Sequence, residues 1–340
     1  MIKKNSILKA AALFLLLIIF LYFFVGSPEP AEEIIWGVHF SSRHAQAFGL
    51  DWKEAYLSLL DDLNVSDLRI SAYWDVGEPS DDTFNFTDLD WQLERAKERD
   101  VPVLLVVGMK LPRWPECYIP PWVNELDKNK QEEKLLEWLE EVILRYKNNQ
   151  TIWAWQGENE PLFRFGECRA EDKDFLKREV ELVKSLDDRP IVITDSGEWS
   201  FWLTSSKLAD VPGVTMYQRV WFSLPDFFKI LFLNKLTGFY VRYPFPPKFY
   251  RAKADLINKI FGKETIITEL QAEPWGKVLL YDLSLEEQLK TMDLAKFKET
   301  VYFARKSGFS KFYLWGSEWW YWMKTFQGDP RIWDEARKLW

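Results

Sequence analysis

The chain has 340 residues, 47% of them hydrophobic and 28% charged, a balance that fits a globular protein with a large core and leaves no compositional sign of disorder. Lys and Arg number 44 against 52 Asp and Glu, a net charge of -8, which repels phosphate backbones and argues against a nucleic-acid partner. Aromatics make up 17% of residues, with 19 tryptophans; most fill a core, but those in loops can take the apolar C-H faces of sugar rings.

In chain order the first element is an apolar run at 7–25, broken only by Lys9 and preceded by Lys3 and Lys4. Its length is about enough to cross a bilayer if Lys9 snorkels to the interface. We read residues 1–30 as a retained single-pass anchor with linker rather than a cleaved signal peptide, because small residues are missing where cleavage needs them and Pro28 follows Ser27. Basic residues ahead of the run and Glu29, Glu32 and Glu33 behind it place the rest of the chain outside the cytoplasm. Cys117 and Cys168, the two cysteines, either pair there or remain buried thiols.

From residue 34 onward short apolar runs alternate with longer charged amphipathic stretches, the pattern of repeated βα units on a parallel sheet. Eight strands are predicted, at 35–40, 67–71, 103–107, 152–156, 191–194, 214–217, 265–269 and 311–315. Helices are predicted at 52–63, 89–99, 131–146, 172–186, 247–261 and 285–306, the last opened by Ser284 with Glu286 and Glu287 behind it, a capping-box arrangement. The eighth helix is left only the stretch 329–340. Such a series closes into an α/β fold of the (β/α)8, or TIM-barrel, type over residues 31–340. The aromatic segment 220–246 interrupts the rhythm after strand six and reads as an insertion. It covers or extends a cleft at the top of the barrel or dips into a membrane, or else is an ordinary packed helical hairpin.

Two carboxylates carry the chemistry. In the stretch from Trp153 to Pro161, strand four runs into Asn159, Glu160 and Pro161; in the stretch from Thr265 to Trp275, strand seven closes on Glu269. Both glutamates emerge at the top rim, from strands that face each other across the barrel. Glycoside hydrolysis needs such a pair, one protonated to release the leaving oxygen and one ionised to attack. Glu158, Glu198, Glu273 and Glu318 also fall in top-face loops; Glu158 precedes the Asn and reads as a partner that tunes Glu160. With two histidines and no metal-ligand spacing, neither a metal nor a cofactor is called for.

These motifs resemble the clan A glycoside hydrolases, the retaining β-glycosidases that include the family 5 cellulases and mannanases. The resemblance implies that Glu160 is the acid/base, Asn159 a hydrogen-bond donor to the sugar 2-hydroxyl and Glu269 the nucleophile. It further implies that Arg69 and Tyr217 support the charge on Glu269 and that Trp315 floors the subsite for the cleaved sugar. His39, Trp114 and Trp275 complete the candidate sugar contacts. The chain lacks the family 5 histidine after strand three, where it has Lys110 and Trp114, and the His-x-Tyr at strand six, where Thr215 precedes Tyr217. The implied partner is an oligo- or polysaccharide, cleaved by double displacement. A transglycosylase, or a glycan-binding barrel without turnover, are the alternatives. A third, a glycolipid substrate gripped by the insertion, meets a geometric obstacle: the linker 26–33 spans at most about 28 Å, and an anchor entering at the barrel bottom lies far from an insertion at its top.

Overall fold

The computed structural model describes residues 4–168, 172–224 and 237–340. Among the described residues ten strands run in chain order: β1 (Ile35–His39), β2 (Leu68–Ser71), β3 (Val103–Val106), β4 (Ile152–Gln156), β5 (Ile191–Asp195), β6 (Val211–Met216), β7 (Arg219–Ser223), β8 (Gly238–Arg242), β9 (Ile266–Gln271) and β10 (Lys311–Trp315). Eight of them close a parallel barrel in the order β1-β10-β9-β6-β5-β4-β3-β2. The ring shuts where β1 pairs β10 from Ile35 opposite Lys311 to His39 opposite Trp315.

The barrel strands are runs rather than alternations because both faces are covered: every residue of β2, β3, β5 and β9 is buried. Leu104, Ala154, Val192, Ile266 and Tyr313, one from or beside each of five strands, form an apolar cluster of their own, the side chains that fill a barrel's interior. Outside, helices Trp52–Asp61, Lys128–Tyr146 and Lys173–Leu186 begin at Asp51, Asp127 and Asp172, whose carboxylates accept the first free N–H groups.

Two helix expectations change, and a further helix is added. The long helix 285–306 is two, because Asp293 leaves the helical region and caps a second helix, Leu294–Arg305. The eighth unit is not confined to 329–340: a helix Ser317–Thr325 follows Gly316 directly after β10. A helix Leu203–Leu208 between β5 and β6 was too short to show a period.

The described part of the 220–246 insertion is an antiparallel hairpin, β7 with β8, in register from Arg219 opposite Arg242 to Ser223 opposite Gly238; its centre, 225–236, lies outside the described residues. Gln271 at the end of β9 ties down its root by accepting from the Gln218 and Arg219 N–H groups.

At the N-terminus Lys4–Phe24 is helical, yet among the described residues no helix is long and apolar enough to cross a membrane. Lys9 divides the run, and the uninterrupted part, 10–25, is about 24 Å of helix, short of a hydrocarbon core of roughly 30 Å. The crossing anchor therefore gains no support. The last turn of the N-terminal helix lies on helix Pro247–Phe261, where Tyr22 donates to the Ala252 carbonyl at 3.3 Å and Phe24 packs on Phe249; Tyr22 also shares a groove with Lys263, Glu264 and Gly308, in the segments that lead into β9 and β10 at the barrel bottom.

Candidate active site

Each proposed functional side chain comes from the carboxyl end of a barrel strand or the loop that follows it. Arg69, in the middle of β2, is fully buried and reaches across the barrel mouth. Its Nη1 donates to Glu269 Oε1 at 3.0 Å, its Nη2 to Asn159 Oδ1 at 2.9 Å and its Nε to Gln156 Oε1 at 2.8 Å. One guanidinium thus joins the ends of β4 and β9. The second carboxylate oxygen of Glu269 accepts from Tyr217 Oη at 2.9 Å, so both oxygens are fixed from opposite sides. Asn159 Nδ2 is buried and has no hydrogen-bond partner, a donor left open beside this pair.

Glu160 sits in the left-handed backbone region, with φ of 43°. That conformation is costly for a non-glycine residue and needs surroundings that over-determine it. They do: the Glu160 N–H donates to Thr194 Oγ1 at 2.7 Å, and its carbonyl accepts from Lys110 Nζ at 3.0 Å. Burial raises its carboxyl well above the usual carboxylate range, and the negative charges of Glu269 and Glu116 raise it further.

The four rival glutamates are occupied elsewhere. Glu158 accepts from the Met109 and Lys110 N–H groups at 2.8 and 2.5 Å, bracing the β3 loop. Glu198 accepts from the Tyr217 N–H at 2.7 Å and from Tyr250 Oη at 2.8 Å, and so sets the backbone that aims Tyr217. Glu273 and Glu318 both bind Arg113, Glu318 at 2.9 Å. Although burial opposes it, the Arg113 charge holds the Glu273 carboxyl below its ordinary pKa.

Among the expected sugar contacts, Trp275 lies edge-on to Tyr217 and tilted on Phe165, which Trp114 meets from the other side. The result is an aromatic line beside the Glu269 pair, with Trp114 itself 47% exposed. Trp315 is buried: His39 stacks on it at 4.7 Å, and the Arg113 guanidinium lies over its ring at 3.9 Å from the centroid. The arginine thus covers ring surface that a sugar would need. His39 is buried, with no hydrogen-bond partner for either ring nitrogen, and its stacking partner is Trp315.

Sequence reading missed two residues, Arg113 and Glu116, both on the loop after β3 and both at positive φ, 85° and 60°. Glu116 is buried, with Oε2 making no hydrogen bond and lying 3.6 Å from Lys110 Nζ. Burial, more than its neighbours, pushes its carboxyl up to about 8. A disulfide from Cys117 to Cys168 ties this loop to the loop after β4. The adjacent Cys117 was the one signal in the sequence that the segment is held at the rim. Among the described residues, Glu78, Asp81 and Asp82 lie close enough together to hold a cation, but they belong to the loop after β2, apart from the strand ends that carry Glu160 and Glu269.

No family model matches the chain. Among solved structures it is similar to xylanase 10B from Thermotoga petrophila RKU-1, crystallised with xylobiose, at 15% identity over 90% of this chain and 94% of that one, TM-score 0.57. It is similar to GH5_18 from Streptomyces cattleya in complex with GlcNAc at 12% identity, over 84% of this chain and 70% of that one, TM-score 0.56. It is also similar to endo-glycoceramidase II from Rhodococcus sp., as its lactosyl-enzyme intermediate, at 14% identity over 85% and 76%, TM-score 0.53. At these identities the likeness is one of fold: the closed barrel shared by the clan A glycoside hydrolases.

Proposed function

We propose that the protein is a retaining β-glycoside hydrolase working by double displacement. A Glu269 carboxylate oxygen attacks the anomeric carbon as Glu160 passes its proton to the departing glycosidic oxygen. Glu160 then takes a proton from the water whose oxygen displaces Glu269 from that carbon. The observation that carries this reading is the asymmetry of the pair. Glu269 has both oxygens held by donors, Arg69 and Tyr217, which suits a charged nucleophile, while Glu160 is buried and raised, with the nearby Lys110 charge outweighed by burial and its acidic neighbours, which suits a proton donor. Asn159, held by Arg69 and with an open amide donor, is suited to a substrate hydroxyl. The fold neighbours that act on or bind sugars add to the reading without specifying the sugar or linkage.

A mechanism-based 2-fluoro glycoside tests it. Incubation should add one glycosyl mass to the peptide carrying Glu269, and Glu269→Gln should abolish the adduct. Labelling of another residue, or none across gluco, manno, xylo and galacto reagents, would sink the reading. Product analysis then separates release to water from transfer to a second glycan.

We further propose an extracytoplasmic location. The Cys117–Cys168 pair supports it, because such bonds persist in oxidising compartments.

A further inference from the structure

The N-terminal helix and the rim of the cleft are joined by one unbroken strip of aromatic side chains. Phe20 stacks on Phe24 at 5.2 Å, Phe24 meets Phe249 at 5.5 Å, Phe249 stacks on Phe245 at 4.4 Å, and Phe245 leads through Tyr243 to Trp199 at 5.8 and 5.6 Å. Trp199 belongs to the loop after β5, one residue from Glu198, which holds the backbone of Tyr217. The far end of the strip therefore lies on the top-face loop that also carries Glu198. It is also open: Trp199 is 58% and Phe201 65% exposed.

We propose that this flank of the barrel lies against a lipid surface, with the N-terminal helix immersed in it and the Trp199–Phe201 rim touching it, so that the cleft opens at the membrane face. The occupant is lipid rather than a protein groove because the helix is exposed on every side from Leu8 to Tyr22. A groove binds one face of a helix, whereas a side chain set that is apolar all round is matched by hydrocarbon. Charge agrees. The groove at the root of the helix is lined by Lys248, Arg251, Lys259 and Lys263 against Asp255 and Glu264, a cationic excess where phosphate headgroups would meet the barrel. The obstacle met in the sequence is bridged by the strip itself, which runs from Phe24 through Phe249 and Phe245 to Tyr243, directly after β8 at the root of the insertion. Shallow immersion does not require a helix long enough to cross.

The test uses the full chain, labelled with an environment-sensitive NBD dye through Phe201→Cys or, on the opposite flank, Leu144→Cys. Addition of phosphatidylcholine–phosphatidylglycerol vesicles should blue-shift the dye at 201 and raise its emission severalfold, with the dye at 144 unchanged. Lys248→Glu should weaken vesicle binding severalfold. Two results would overturn the proposal: a chain that stays in the supernatant with every vesicle, or one that sediments with vesicles while the dye at 201 remains aqueous. Neither readout depends on turnover, so the orientation and the hydrolase reading fail independently.

Discussion

At the scale of single residues, four causes raise the Glu160 carboxyl together: burial first, then the charges of Glu269, Glu116 and, last, Glu198. Glu116 is the one that can be removed without touching the proposed chemistry. Activity that needs protonated Glu160 falls as pH rises through its raised pKa. Where Glu116 is ionised, as pH passes about 8, replacing it by Gln deletes a neighbouring negative charge, so the basic limb of the kcat/KM profile moves to lower pH. A stability change follows with its own sign. The folded-state pKa of Glu116, about 8, stands above its ordinary 4.5. Its contribution is therefore complete below about pH 4.5 and is lost as pH climbs through about 8. Between those values Glu116→Gln should lose less melting temperature than the unmodified chain; parallel melting curves together with an unmoved basic limb would reject the assignment. The positions of Glu160 and Glu269 were legible in sequence because each stands at or just past the end of an apolar run, where the fold fixes direction; Arg69, inside the second strand, and Tyr217 were singled out by the resemblance. Arg113 and Glu116 were not, because a loop with two left-handed residues follows no period, and chain order alone does not show that its guanidinium covers Trp315.

At the scale of elements, the parallel strands were readable for the same reason that they are stable: both faces are buried, so each is a compact apolar run between longer amphipathic helices. The hairpin β7–β8 is a pair of antiparallel strands, not the packed helical hairpin that is the plain alternative for this insertion; its exposed residues Phe222 and Phe239 spoil the in–out alternation that marks a half-buried strand. The junction of β3 with its loop offers a test of how elements place the site. A Cβ on Gly108 would collide with the carboxyl of Glu158, the group that accepts the Met109 and Lys110 N–H bonds. Gly108→Ala should therefore cost about 1–3 kcal/mol, the usual range for overpacking a tight site, read as a lower denaturant midpoint. It should also lower kcat/KM, because Lys110 no longer holds the Glu160 carbonyl in place. Gly108→Ala with wild-type stability and turnover would mean that Glu158 is free to move and does not brace the loop.

At the scale of the whole molecule, the barrel and the N-terminal helix are unequal partners. The barrel closes through its own β1–β10 ladder, and its core clusters draw on residues from Ile34 onward. The helix adds only its last turn, through Tyr22, Phe23 and Phe24 on helix Pro247–Phe261, while its preceding apolar side chains face outward. Exposed hydrocarbon of that extent favours self-association in water, whereas the few contacts at its end contribute little to the barrel's stability. A chain beginning at residue 28, which keeps Pro28 and Glu29 beside Gly308, should therefore run as a single monodisperse species in size-exclusion chromatography without detergent. Its melting temperature should stay within a few degrees of the full chain's in detergent, and its kcat/KM on soluble aryl glycosides should be unchanged. Collapse of the melting transition on truncation would show instead that the helix is part of the folding unit, and that the aromatic strip from Phe24 to Trp199 exists to hold the rim rather than to meet lipid.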